Sequence, residues 1–253
     1  PACDEQVQKL SREIWSGNDG KVVTHTQFKQ GNVFQGIDIQ TALSHLKVVP
    51  DVDGFDAKMF PWLHRTTPEG DVYFLSCQAD QATSISPSFR VSGRQPELWD
   101  AVTGERRDLP AFREENGRTT VLLEFAPRQS LFVVFRKPAT KPTSATNAIV
   151  LTTIGELTGA WTVQFDPKWG GPASIEFDKL TDWTKRPEDG IKYYSGTAIY
   201  RKSFDLPPNA NDARLFLDLG TVKNMAHVRL NGTDLGTVWT APWHVDITKA
   251  AKA

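Results

Sequence analysis

Cleaving a bond between two sugars calls for two carboxylates facing each other across it, about 5–5.5 Å apart for retention or ~6.5–9.5 Å for inversion. The chain is rich in acids, yet Asp182, Asp189, Asp218, Asp234 and Asp246 all fall at strand ends or turns. There a carboxylate's ordinary duty is to accept backbone N–H groups. No pair stands out as a catalytic couple. A serine nucleophile would need a strained Gly-x-Ser-x-Gly elbow, which does not occur. There is no His-Glu-x-x-His and no closely spaced His/Cys set, so no transition-metal centre is expected. Gly170-Gly171-Pro172 reads as a turn and not as a phosphate cradle. No catalytic residue, metal site or cofactor is therefore expected within the chain.

The aromatic residues say more. The sequence has eight Trp, and five of them lie between Trp161 and Trp243. Large flat rings fill β cores, and they also stack on sugar rings. A ligand rim, if there is one, is expected at Asp182, Trp183, Tyr194, Trp239, Trp243 and His244. Aromatic faces would meet sugar C–H groups, and the polar side chains would meet hydroxyls. The plainer reading makes each Trp a core residue and His244 a strand histidine satisfied by backbone. Trp62-Leu63-His64-Arg65 offers the same choice. It is either a cleft lining or a strand with a buried Trp and a solvated Arg. Asn231-Gly232-Thr233 matches a glycosylation sequon, but a hairpin turn explains the same residues.

Composition excludes several classes. Formal net charge is −1, which leaves no basic footprint for nucleic acid. No apolar run approaches the ~18–20 residues needed to span a bilayer, so no membrane partner is expected. Pro1-Ala2-Cys3-Asp4-Glu5 is polar, resembles no signal peptide and lacks a start Met. The chain is expected to begin inside a longer protein or after processing. Cys3 and Cys77 are expected to be free thiols.

The elements that must position these residues fall into three segments. In residues 1–50, Val7, Leu10, Ile14 and Trp15 share a helical face, and Gly17 suits its C-terminal cap. Asn18-Asp19-Gly20 reads as a turn, residues 21–26 as a strand, and Ile39, Ala42, Leu43 and Leu46 as a second helix. Helix–strand–helix is a piece of an α/β unit, since one strand builds no sheet. Residues 51–137 carry short β runs at 71–76, 88–91, 96–100, 119–125 and 130–135, with a tight hairpin at 96–105. Close spacing with Gly and Pro between runs predicts a β-sandwich. Residues 138–148 are rich in Pro, Thr and Ala and read as a linker. Residues 149–253 turn to β again, with alternation at 160–165, 197–204 and 226–230. Asn231-Gly232 is the strongest hairpin signal singled out there.

The stretch from Tyr193-Tyr194-Ser195-Gly196-Thr197-Ala198 through Asn231-Gly232 to Trp239 and Trp243 resembles the sugar-binding jelly roll of family 2 glycosidases. With Phe89 to Asp100, Thr103-Gly104, Phe125 to Ser130, Trp161 to Phe165 and Asp182-Trp183, the chain is similar to the C-terminal part of family 106 glycoside hydrolases, the α-L-rhamnosidase-like enzymes. The resemblance covers nearly everything from Trp62 onward.

It implies a mainly β chain with two β-sandwich domains, the first Ig-like and the second a galactose-binding-like jelly roll. A short α/β segment, the tail of a Rossmann-like domain, precedes them. It places the catalytic carboxylates on an N-terminal barrel upstream of Pro1, so none carries over to a position here. That missing barrel would be the partner, with rhamnose-containing glycans met through the parent enzyme. A secreted or periplasmic location follows from the same resemblance. Related jelly rolls run on past Ile247-Thr248 into one more long strand, whereas this sequence stops at Ala253. A missing strand is expected, its place filled by another segment or molecule. Three roles compete: a non-catalytic part of a glycosidase, an independent carbohydrate-binding module, and a spacer without ligand.

Overall fold

The computed structural model describes residues 2–15, 24–144, 146–207, 210 and 214–251. Gly17, the Asn18–Gly20 turn and positions 21–23 of the expected strand lie outside the described residues. The chain divides into two compact units. The first holds Pro1–Leu75, Ser84–Leu123 and Leu131–Ala145; the second holds Ser76–Thr83, Glu124–Ser130 and Thr146–Ala253.

The first unit opens with α1 (Ala2–Trp15), which carries the apolar face read from its spacing. Next come β1 (Thr24–Phe28), β2 (Gly31–Gln35) and α2 (Ile39–His45). Asp38 caps α2 by accepting from the Thr41 N–H at 2.9 Å. The strand expected to stand alone has a partner: β1 and β2 form an antiparallel hairpin, with His25 stacked on Phe34 at 4.4 Å. Gly31 and Asn32 at the head of β2 are poor strand formers, which hides it in the sequence.

Eleven further strands follow: β3 (Val52–Asp53), β4 (Trp62–Thr67), β5 (Gly70–Ser76), β6 (Thr83–Ile85), β7 (Ser88–Phe89), β8 (Arg94–Trp99), β9 (Arg106–Asp108), β10 (Phe112–Glu115), β11 (Arg118–Val121), β12 (Leu123–Phe125) and β13 (Ser130–Pro138). Nine of them build a five-stranded sheet in the order β4-β5-β13-β8-β9 and a four-stranded sheet in the order β10-β11-β7-β3, and β6 pairs with β12. The hairpin read at 96–105 is real, since β8 and β9 pair across the Asp100–Glu105 turn. The run at 119–125 is broken at Leu122 into β11 and β12.

Alternation along β5 and β13 sends one set of side chains inward. Tyr73 of β5 and Phe135 of β13 thus meet Phe89 of β7, with ring centroids 4.7 Å (Tyr73–Phe89) and 5.3 Å (Phe89–Phe135) apart. These three rings tie the two sheets into a sandwich. Gly70 starts β5 where a Cβ would sit 2.0 Å from the Phe135 carbonyl oxygen, so the strand's entry requires glycine.

The second unit contains β14 (Trp161–Gln164), β15 (Ile175–Phe177), α3 (Asp189–Lys192), β16 (Ile199–Arg201), β17 (Phe216–Asp218), β18 (Ala226–Leu230), β19 (Thr233–Val238) and β20 (His244–Asp246). Two 3-10 turns, Pro167–Trp169 and Trp183–Lys185, lie among them. β15, β14 and β16 make one sheet, β17 and β20 pair, and β18 and β19 form a hairpin. That hairpin turns at Asn231-Gly232, both with positive φ (50° and 80°). One core cluster gathers Val163, Phe165, Phe177 and Ile191; a second gathers Ala210, Leu215 and Ile247. The chain is mainly β, with antiparallel pairing and few helices.

Candidate functional site

The six expected rim residues lie in the second unit. Asp182 caps the Trp183–Lys185 turn, accepting from the Thr184 N–H at 3.0 Å and its hydroxyl at 2.8 Å. Those two bonds, side-chain first, hold the Asp182 carboxyl below its ordinary value. Trp183 packs against the first core cluster and donates its Nε1–H to the Tyr200 hydroxyl at 2.5 Å. Tyr194 lies edge-on to Phe165 (4.9 Å) and to Trp183 (5.8 Å). Its hydroxyl accepts from the Asp166 N–H at 3.2 Å and donates to the Thr197 carbonyl at 3.2 Å. Trp183 and Tyr194 thus have their polar tips engaged and their rings supporting one another.

Trp239 follows β19 and is 60% exposed. Trp243 is half-buried, and its carbonyl accepts from the Leu219 N–H at 2.7 Å. His244 opens β20, with its ring edge-on to Phe216 at 5.4 Å. The three fall within one short segment. Among the described residues, no hydrogen bond or ring contact links them to Asp182, Trp183 or Tyr194.

Two exposed rings escaped the sequence reading. Trp169 closes the Pro167–Trp169 turn, and Tyr193 caps α3; each is 72% exposed. Their signal lay in turn chemistry, with Asp166-Pro167 before Trp169 and αL Gly170 after it.

The other acids named from sequence act largely as turn acceptors. Asp218 takes the Gly220 N–H at 2.8 Å, Asp234 the Gly236 N–H at 2.9 Å, and Asp246 the Thr248 N–H at 3.0 Å. Asp189 is the first residue of α3, where a negative charge faces the helix's positive end.

In the first unit the Trp62–Arg65 segment is β4, and its His64 has two carboxylate partners. Nδ1 lies 3.1 Å from Asp51 and Nε2 2.9 Å from Asp71, while the ring stacks on Tyr73 at 4.1 Å. Both ring nitrogens face carboxylate oxygens. Arg90 also pairs with Asp51. The His64 bond is the largest of the effects holding the Asp51 carboxyl down. The Tyr73 hydroxyl beside them is buried with no hydrogen-bond partner among the described residues, and burial pushes its pKa up. On the same sheet Glu97 is buried, and burial alone would raise its carboxyl. Arg136, the extra residue at a β13 bulge, offsets this with bonds of 3.0 and 3.1 Å; Trp99 adds another at 3.2 Å. In both clusters the carboxylates are engaged by neighbouring side chains.

Among the described residues, no group of three His, Cys, Asp or Glu is arranged to hold a metal ion. No helix of the described chain is long and apolar enough to cross a membrane.

Residues 2–113 match the model of glycoside hydrolase family 106, described as alpha-L-rhamnosidase. Over 98 residues the chain is 40% identical to a curated protein of Formosa agariphila provisionally named a beta-glucuronidase. That match takes 38% of this chain and 8% of the relative. The structure of a rhamnosidase from Novosphingobium sp. PP1Y matches with a TM-score of 0.84 and 37% identity, over 98% of this chain and 23% of that one. The chain spans less than two thirds of either relative's length. Over residues 2–113 the chain is similar in sequence to that alpha-L-rhamnosidase family model, and over nearly its whole length it is similar in fold to that rhamnosidase structure.

Proposed function

We propose that this chain is a non-catalytic C-terminal portion of a carbohydrate-degrading glycoside hydrolase of the α-L-rhamnosidase type, giving β scaffold and contact to glycan. The observation that carries the reading is the match to 23% of a rhamnosidase chain at 37% identity. The first unit supports it, since the carboxylates of Asp51, Asp71 and Glu97 are engaged by the side chains of His64, Arg90 and Arg136. So does the second, where Asp182, Asp218, Asp234 and Asp246 hold turns together.

In this reading residues 1–50 are the tail of a preceding α/β domain, 51–137 a β-sandwich, 138–148 a linker and 149–253 a galactose-binding-like jelly roll. Glycan contact falls to the rim of Asp182, Trp183, Tyr194, Trp239, Trp243 and His244, with Trp239 offering the most open ring. Catalysis belongs to a barrel on the same polypeptide. With an aryl α-L-rhamnoside, the chain alone is expected to release no product. Turnover that disappears when one of its own carboxylates is replaced would overturn the reading.

A second reading, an independent carbohydrate-binding module, is favoured by the exposure of Trp239. It requires saturable binding by the isolated chain, whereas a spacer without ligand requires none at millimolar sugar.

A further inference from the structure

We infer that the two touching turns that carry Trp169 and Tyr193 form a sugar-stacking platform, rooted on Trp183 and Tyr194 of the six-residue rim, that takes the apolar face of a pyranose ring. The inference rests on the reading that this chain contacts glycan, and adds where it does so.

The turns are built to hold their rings outward. Asp166 accepts from the Lys168 N–H at 2.9 Å, Pro167 fixes the next φ, and Gly170 closes the turn at φ 85°. Tyr193 ends α3, its N–H bonded to the Asp189 carbonyl at 3.1 Å. The residues next to the two exposed rings fasten the turns together. Tyr194 accepts from the Asp166 N–H, and a Cβ added to Gly190 would sit 2.4 Å from the Gly170 carbonyl oxygen. Only a glycine at position 190 allows that approach. A Cβ on Gly171 would sit 2.5 Å from the Phe165 Cβ, so the platform also seats closely on the core beneath. Buried Phe165 and half-buried Trp183 and Tyr194 are its roots. Two rings on turns braced in this way are preorganised, which lowers the entropy cost of binding.

The surroundings select a sugar over a protein partner. Asp166, Lys168, Asp189, Lys192 and Ser195 are exposed around the two rings. A protein-docking face is a contiguous apolar patch. The Lys192 Nζ lies 5.2 Å from the Tyr193 ring centroid, and flat rings set among such hydrogen-bonding heads match a sugar instead, whose ring face is C–H and whose rim is hydroxyl. Among the described residues, the Trp169 indole has no hydrogen bond or ring contact.

The test uses the full chain in affinity electrophoresis through gels holding a soluble rhamnose-rich polysaccharide, with titration calorimetry on methyl α-L-rhamnoside. The unaltered chain is expected to be retarded. Trp169→Ala should weaken binding about tenfold, Tyr193→Ala less, and Trp169→Phe should retain part of it. Unchanged circular dichroism keeps each variant interpretable, and Leu63→Ala in the first unit should leave retardation unchanged. Full retardation of the Trp169→Ala, Tyr193→Ala double variant overturns the platform and leaves glycan contact standing. A loss confined to Trp239→Ala does the same, and assigns contact to the rim. Failure of the unaltered chain to be retarded removes both, while the aryl rhamnoside assay still judges the non-catalytic assignment by itself.

Discussion

In the first unit Tyr73, Phe89 and Phe135 meet between broad sheets, and none of them is exposed. In the second, Trp169, Tyr193 and Trp239 stand in solvent beside sheets of two and three strands. The difference is one of geometry before it is one of composition. A five-stranded sheet facing a four-stranded one offers enough inner surface to hide every large ring on it. Short strands joined by capped turns offer less, and their turn residues point outward. The first unit also spends its charges inward, on the Asp51–His64–Asp71 row and the Glu97–Arg136 pair. The second spends acids on turns, which fixes the loops that present aromatic faces. One unit is organised as a support and the other as a surface.

That contrast can be broken most directly at Phe135. Phe135→Ala should cost about 4 kcal/mol, because it opens a cavity between both sheets. A loss below about 1 kcal/mol in urea unfolding would show that the sheets do not share this core. Arg136→Ala should destabilise the fold, by less than Phe135→Ala, because it leaves the Glu97 carboxylate buried with a weakened set of donors. Arg136→Lys should recover only part of it, since the paired bonds need a guanidinium fork.

His64→Ala removes the donor between two carboxylates and should cost about 2 kcal/mol. The same row sets an acid limit. The folded Asp51 carboxyl lies below its unfolded value of 3.8, so its contribution is complete above that pH and fades as pH falls through the lower folded value. Asp51→Asn should flatten the stability slope in that window. The smallest effect sharpens the contrast from the other side. Trp169→Ala should change stability by less than about 0.5 kcal/mol, as suits a ring that serves a surface. A larger loss on thermal melting would make Trp169 a structural residue.

Much of the architecture could be read from residue order, for physical reasons. Alternation announced β5, β13, β14 and β18, and Asn231-Gly232 announced the β18–β19 hairpin. Asn116-Gly117 has the same chemistry and positive φ at both residues, and it turns β10 into β11. It went unread because Arg113-Glu114-Glu115 looks solvated, as one face of an edge strand is. β2 was hidden by its leading Gly and Asn. The functional surface was less legible. Trp183 and Trp169 are the same residue type in the same unit, and only packing separates a root from an open ring. Sequence gives no direction for a side chain on a turn, so the rim expected from it holds Tyr194 and omits Tyr193. Their roles differ because the Tyr194 hydroxyl finds Asp166 and Thr197.

Cys77 is buried, with its N–H bonded to the Gln129 carbonyl at 2.8 Å, while Cys3 on α1 is exposed; both are free thiols. A thiol-reactive label should therefore be taken up in two phases. Cys3 reacts at the pace of its own chemistry, and Cys77 only when its surroundings part. The slow phase is a clock for local opening that needs no mutation to install.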